Sequence, residues 1–167
     1  GIDRTRVSNP LALNLYLLGY DKDKKLTTLN RAIKENLKVY LGQYRMLTDA
    51  INIKDGFIVN IGVKFSIVAF KNFNKREVLL RCIDRIKSFF NVDNWQFNQP
   101  IILADIQTEL FKVDGVQAVT DAEIENKWKT SEGYSGNVCN IREATKDGIV
   151  YPSLDPSMWE LKSKLRP

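Results

Sequence analysis

The chain has 167 residues, 44% hydrophobic and 27% charged, a length and balance that suit one folded domain with an appendage. Its net charge of +5, from 25 Lys and Arg against 20 Asp and Glu, permits acidic partners without requiring them. With no histidine anywhere, the commonest general base and the commonest zinc ligand are excluded, and histidine-dependent hydrolase triads with them.

The chain opens Gly1-Ile2-Asp3, without Met and without the charged-then-apolar progression of a secretory signal, which is the start expected of an excised piece of a longer protein. From Leu11 to Tyr20, alternation places Leu11, Leu13, Leu15 and Leu17 on one face of a first strand. The polar DKDKK then turns the chain. Leu26, Leu29, Ile33, Leu37, Tyr40 and Leu41 recur at spacings of three or four, which predicts a helix from about Thr27 to about Leu41.

A short second strand, Ala50–Ile53, is followed by Lys54-Asp55-Gly56, whose turn chemistry predicts a reversal into a hairpin. The third strand puts Phe57, Val59, Ile61, Val63, Phe65 and Ile67 on one side and Asn60, Gly62, Lys64 and Ser66 on the other, so it is expected to be covered on one face only. Asn74 with Glu77 resembles a capping box, and the helix after it carries Val78, Leu79, Cys82, Ile83, Ile86, Phe89 and Phe90 on one stripe. In the connector Asn94–Ile101, Trp95 is expected to close the end of that helix against Phe89 or Phe90, while Gln99-Pro100 sends the chain back to the sheet. Leu103, Ile106, Leu110 and Val113 give a shorter helix, Asp114-Gly115 a turn, and VQAVTDAEI a fourth strand.

This order predicts an α+β fold of the split βαβ type, a ferredoxin-like βαββαβ antiparallel sheet with its helices on one face, over residues 1–125. Residues 126–167 are rich in Gly, Ser, Pro and Lys and predict a hairpin or two and an extended C-terminal arm, with Pro152 and Pro156 favouring extended or edge conformations. Trp128 is expected to bury against this tail. Tyr151, Leu154, Met158, Trp159 and Leu161 on the arm are the residues expected at a partner interface, since aromatic anchors dominate interface energetics. A chain cut after Asp147 is then expected to keep its α+β core.

Signals for chemistry are few. Cys82 falls on an apolar helix stripe and Cys139 stands apart from it, without a metal-ligand pattern. Gly133, Gly136 and Gly148 lack the strand-loop-helix setting of a phosphate loop and are expected in turns. Asp105 and Glu109 lie four apart, as solvated acids on a helix often do. No catalytic residue, cofactor, metal or small-molecule substrate is therefore expected, and no apolar run reaches the roughly 18–20 residues of a membrane span. Two alternatives remain open. A βαββαβ sheet can bind nucleic acid, but the third strand lacks base-stacking aromatics on its outward set and only Tyr16 supports that use. DGVQAV is similar to the anion-cradling loop of acylphosphatases, yet Ala118 replaces its second glycine and the segment enters the last strand rather than the first.

Taken together, the Leu29–Tyr40 pattern, YRMLTDAINI, FIVNIGVKFSIV, the tryptophan connector NWQFNQPI, VDGVQAV and the closing GIVYPSLDPSMWELK resemble the C-terminal part of J-like contractile-tail baseplate proteins, and most of all the wedge subunits of T-even-like bacteriophages. The resemblance spans roughly Leu11 to Leu161, with one departure: Asn98 stands where many family members carry Gly, and Asn tolerates a left-handed backbone. It implies a structural, non-enzymatic virion protein of the tail baseplate, assembled in the bacterial host cytoplasm. Its implied partners are itself, as a dimer or higher oligomer, and other baseplate wedge proteins.

Overall fold

The computed structural model describes residues 13–44 and 51–162, so Leu11, Ala12 and Ala50 of the expected strands lie outside the described residues. The chain divides into two units, Gly1–Gly56 and Phe57–Pro167. The sequence-based boundary after residue 125 lies inside the second of these, near the end of the strand Val116–Asn126.

In the first unit, β1 (Leu13–Leu17) is followed by β2 (Gly19–Tyr20), β3 (Leu26–Thr27), α1 (Arg31–Gly42) and β4 (Ile51–Asp55). The polar turn forms as expected: β2 and β3 pair antiparallel, and the Asp21 carboxylate accepts the amides of Asp23 and Lys25. Because Leu26 and Thr27 are held in that ladder, α1 starts four residues later than its apolar spacing predicts. It starts where Asn30 can cap it, with Oδ1 accepting the Ile33 amide at 2.8 Å. β1 and β4 pair in parallel, Leu13 with Ile51 through Leu17 with Asp55, with α1 as the crossover between them.

In the second unit, β5 (Phe57–Ala69) is the central strand of a three-stranded sheet. It pairs antiparallel with β7 (Val116–Asn126) and in parallel with β10 (Ser157–Leu161). α2 (Lys75–Phe89) is capped by Asn74, whose Oδ1 accepts from Arg76 and Glu77, and it buries Val78, Cys82, Ile83 and Ile86. α3 (Leu103–Phe111) buries Ile106 and Leu110. Between α3 and β7, Gly115 adopts φ +96°, and a Cβ there would stand 2.7 Å from both Phe73 and Val78, so neither the conformation nor the space admits a side chain. A second small sheet joins β6 (Ile101–Ile102), β9 (Ile149–Val150) and β8 (Thr145–Lys146), which follows the one-turn helix α4 (Ile141–Ala144). The β8–β9 reversal uses Asp147 and Gly148, both at positive φ as a two-residue hairpin turn of this kind requires.

Three expectations are corrected. Among the described residues the strands do not join in the ferredoxin-like split βαβ order, because β1 takes β4 as its neighbour while β5 takes β7 and β10; the described residues form an α+β fold of small sheets with four α-helices. The hairpin at Lys54-Asp55-Gly56 is absent: Gly56 is not among the positive-φ glycines, its amide donates to Leu17 O, and Phe57 N–H donates to Pro156 O. β5 is covered on one face only from Lys64 onward. Over Ile58–Val63 both faces are buried, since the loop after β7 lies over its polar side and β10 fills its edge.

The residues beyond Asp147 thus supply β9 and β10 to the core, with Val150 fully buried and Trp159 only 2% exposed. Ending the chain after Asp147 is expected to abolish the cooperative unfolding of the second unit, the reverse of the sequence-based expectation. In the full chain, Trp159→Ala is expected to cost about 3–5 kcal/mol. Urea titration followed by circular dichroism checks both.

Candidate partner interface

The connector from Trp95 to Pro100 ties the end of α2 to the C-terminal segment. The Trp95 ring stacks on Phe90 at 5.2 Å and 15°, meets Phe89 edge-on at 5.7 Å, and its Nε1 donates to Phe89 O at 2.9 Å, as its position in the sequence suggested. These contacts satisfy a carbonyl that the helix terminus leaves without an intrahelical donor. Asn98 takes φ +59°, the left-handed conformation that Asn tolerates. In that conformation its amide donates to Ser157 O at 2.8 Å, its Oδ1 accepts the Ser157 amide at 3.0 Å, and its Nδ2 donates to Asp155 Oδ1 at 2.7 Å. One residue on, Gln99 O accepts Trp159 Nε1 at 2.7 Å.

This clamp decides where the five arm residues go. Met158 and Trp159 are buried in the unit's own core, Leu154 and Leu161 are half-buried, and Tyr151 is 47% exposed. A strand that pairs with β5 turns alternate side chains into the core and seats Trp159 under the connector, so its aromatic content did not mark an exposed anchor. Trp128, expected to bury, is 46% exposed.

Beside the connector lies an open groove of about 420 Å³, lined by Phe89, Trp95, Pro100 and Ile102 and by the charged Arg85, Asp105 and Glu109. Glu109 accepts from Arg85 Nε at 2.8 Å and from Lys112 Nζ at 3.1 Å, so it is one member of a surface ion cluster with Lys112 and Arg85. The Lys112 hydrogen bond, with Arg85 adding to it, holds the Glu109 carboxyl below its usual range. Cys82 is buried on α2 with its thiol pushed up by burial, and the Cys139 sulfur accepts from the Ser153 hydroxyl at 3.3 Å. Gly133 and Gly136 both take positive φ, Gly133 in a turn after a short 3-10 helix and Gly136 in an irregular segment. Among the described residues, no group of three or more His, Cys, Asp or Glu could hold a metal ion, and no helix is long and apolar enough to cross a membrane.

No family model and no curated protein matches this chain. Its fold is similar to a chain in the cryo-electron microscopy structure of the anti-feeding prophage baseplate, six-fold symmetrised, with a TM-score of 0.59 and 11% identity. The likeness, which at that identity is one of fold, covers 93% of this chain and 31% of that one, so this chain spans about a third of the other's length.

Two outcomes follow from the clamp and its ion cluster. Asn98→Ala is expected to destabilise by about 2–3 kcal/mol, through lost hydrogen bonds and a disfavoured left-handed backbone, and Asn98→Gly by about 1 kcal/mol less, in urea titrations of both variants. Because the folded-state pKa of Glu109 is depressed, its contribution is present above the ordinary value of 4.5 and fades as pH falls through the lower folded value. Glu109→Gln is therefore expected to flatten, modestly, the loss of stability between pH 5 and pH 3 in thermal melts, the pair being exposed enough for solvent to screen it.

Proposed function

We propose that this chain is a structural module of a contractile-tail baseplate rather than an enzyme. The observation that carries the reading is the fold likeness to the anti-feeding prophage baseplate chain over 93% of the residues. The sequence resemblance to J-like wedge proteins supports the finer form of it: a wedge-type subunit of the virion tail that associates with itself and with other baseplate proteins, linking wedges into a ring. Tyr151, the arm aromatic left exposed, is the residue proposed to face a partner, with the half-buried Leu154 and Leu161 as further candidates on the same segment. Met158 and Trp159, buried in the unit's own core, would act on such a surface only by holding β10 in place.

Sedimentation velocity on the full chain over a wide concentration range tests the association, and mass spectrometry of contractile particles purified from its source tests the location. A concentration-dependent dimer or larger species, weakened by Tyr151→Ser, is the expected outcome. A monomer at every concentration removes the self-association, and absence from the particles removes the baseplate reading altogether.

A further inference from the structure

In the first unit a basic groove runs along an edge of β4 that no strand pairs with among the described residues. Gly56 N–H donates to Leu17 O at 3.0 Å, which fixes the side to which each residue of β4 directs its peptide groups. In a parallel ladder one residue aims both its N–H and its C=O at its neighbour, and the next aims both away. Counting back from Gly56, Lys54 and Asn52 face β1, and Ile51, Ile53 and Asp55 present theirs to the opposite edge. Among the described residues β4 pairs with β1 alone. At the end of that edge Asp55 Oδ1 is buried without a hydrogen-bond partner, although Oδ2 accepts from Lys34 Nζ at 2.6 Å.

The edge opens on a groove of about 390 Å³ lined by Asn52, Ile53 and Lys54 of β4 and by Arg31, Lys34, Glu35 and Lys38 of α1. Arg31, Lys34 and Lys38 stand at i, i+3 and i+7, one face of the helix. Four cationic side chains thus meet one carboxylate in the lining, Glu35, with Asp55 neutralising part of Lys34. A strand edge with free donors and acceptors takes another strand, and the side chains beside it select which one.

We propose that the β4 edge accepts an extended segment of a partner protein that carries carboxylates at alternate positions. The segment would pair with the peptide groups of Ile53 and its neighbours and lay its acidic row along Arg31, Lys34 and Lys38. This stands on the first unit alone, so it holds or fails independently of the baseplate reading.

The test uses the full chain and a fluorescein-labelled heptapeptide, Thr-Glu-Val-Glu-Val-Glu-Thr, with a lysine counterpart in place of the glutamates, at about 50 mM salt, where screening is weak. Expected are saturable binding of the acidic peptide alone, slowed amide exchange at Ile53 in the complex, and affinity at least about tenfold lower in the double variant Arg31→Glu, Lys38→Glu. Both substituted side chains are exposed, so circular dichroism should show that variant folded. Ile53→Pro, which removes an outward donor and no bond to β1, is expected to abolish binding as well. The proposal is overturned if no peptide binds, if the lysine peptide binds equally, or if exchange at Ile53 is unchanged. It is likewise overturned if single-stranded RNA displaces the peptide and binds more tightly through the same two cations, which would make the groove a nucleic-acid site.

Discussion

Asn60 is the point on which the second unit depends. Its Nδ2 donates to Glu160 Oε1 on β10 at 2.9 Å, its Oδ1 accepts the Ser135 amide at 2.8 Å, and its carbonyl accepts from Asn126 Nδ2 and from the Lys127 amide. One nearly inaccessible residue in mid-strand thus ties an edge strand and a loop together through its side chain, and holds the end of β7 through its carbonyl. A buried amide is tolerated only where its donors and acceptors are met, and here its oxygen and nitrogen are met by residues 75 and 100 positions away in sequence. Register follows from this: a slip of β10 by one residue would put Trp159 or Leu161, in place of Glu160, opposite the amide of Asn60.

The connector repeats the same economy at the other end of β10. Asn98 exchanges hydrogen bonds with Ser157 through both backbone and side chain, and Trp159 donates to the next carbonyl along. Trp95 in turn is locked to α2 through Phe89 and Phe90. Helix, connector and final strand are therefore one rigid chain of contacts, and the groove with its Arg85, Glu109 and Lys112 cluster sits beside it.

Local features were legible in the sequence because they are set by neighbours. The Asn74 cap, the α2 stripe and the stacking of Trp95 depend on residues within a few positions, while Gly115 and Asn98 were legible from residue type, although their packing partners lie far along the chain. Strand partners were not, since pairing is decided by burial across the whole unit. Lys54-Asp55-Gly56 has the composition of a turn and yet runs on from β4 into β5, and the Pro- and Ser-rich approach to Met158-Trp159 resembles a free arm although it ends in a core strand. The alternation of Asn60 with apolar residues marked a solvent face, whereas Glu160, the residue that makes the opposite sense of it, lies 100 positions on. The spacing of Arg31, Lys34 and Lys38 was visible throughout, but not that it borders an edge of β4 left without a strand partner among the described residues.

The parallel pairing of Phe57–Ile61 with Ser157–Leu161 has a consequence for synthesis. Chains emerge from the ribosome at about 5–20 residues per second, so Ile58–Ile61 waits several seconds with one long apolar edge uncovered before its partner has been made. Closure over so long a loop also raises the entropic cost of the nucleus. During that interval pairing with β7 can already hold Ile61–Ala69, while Phe57–Asn60 must await the C-terminal strand.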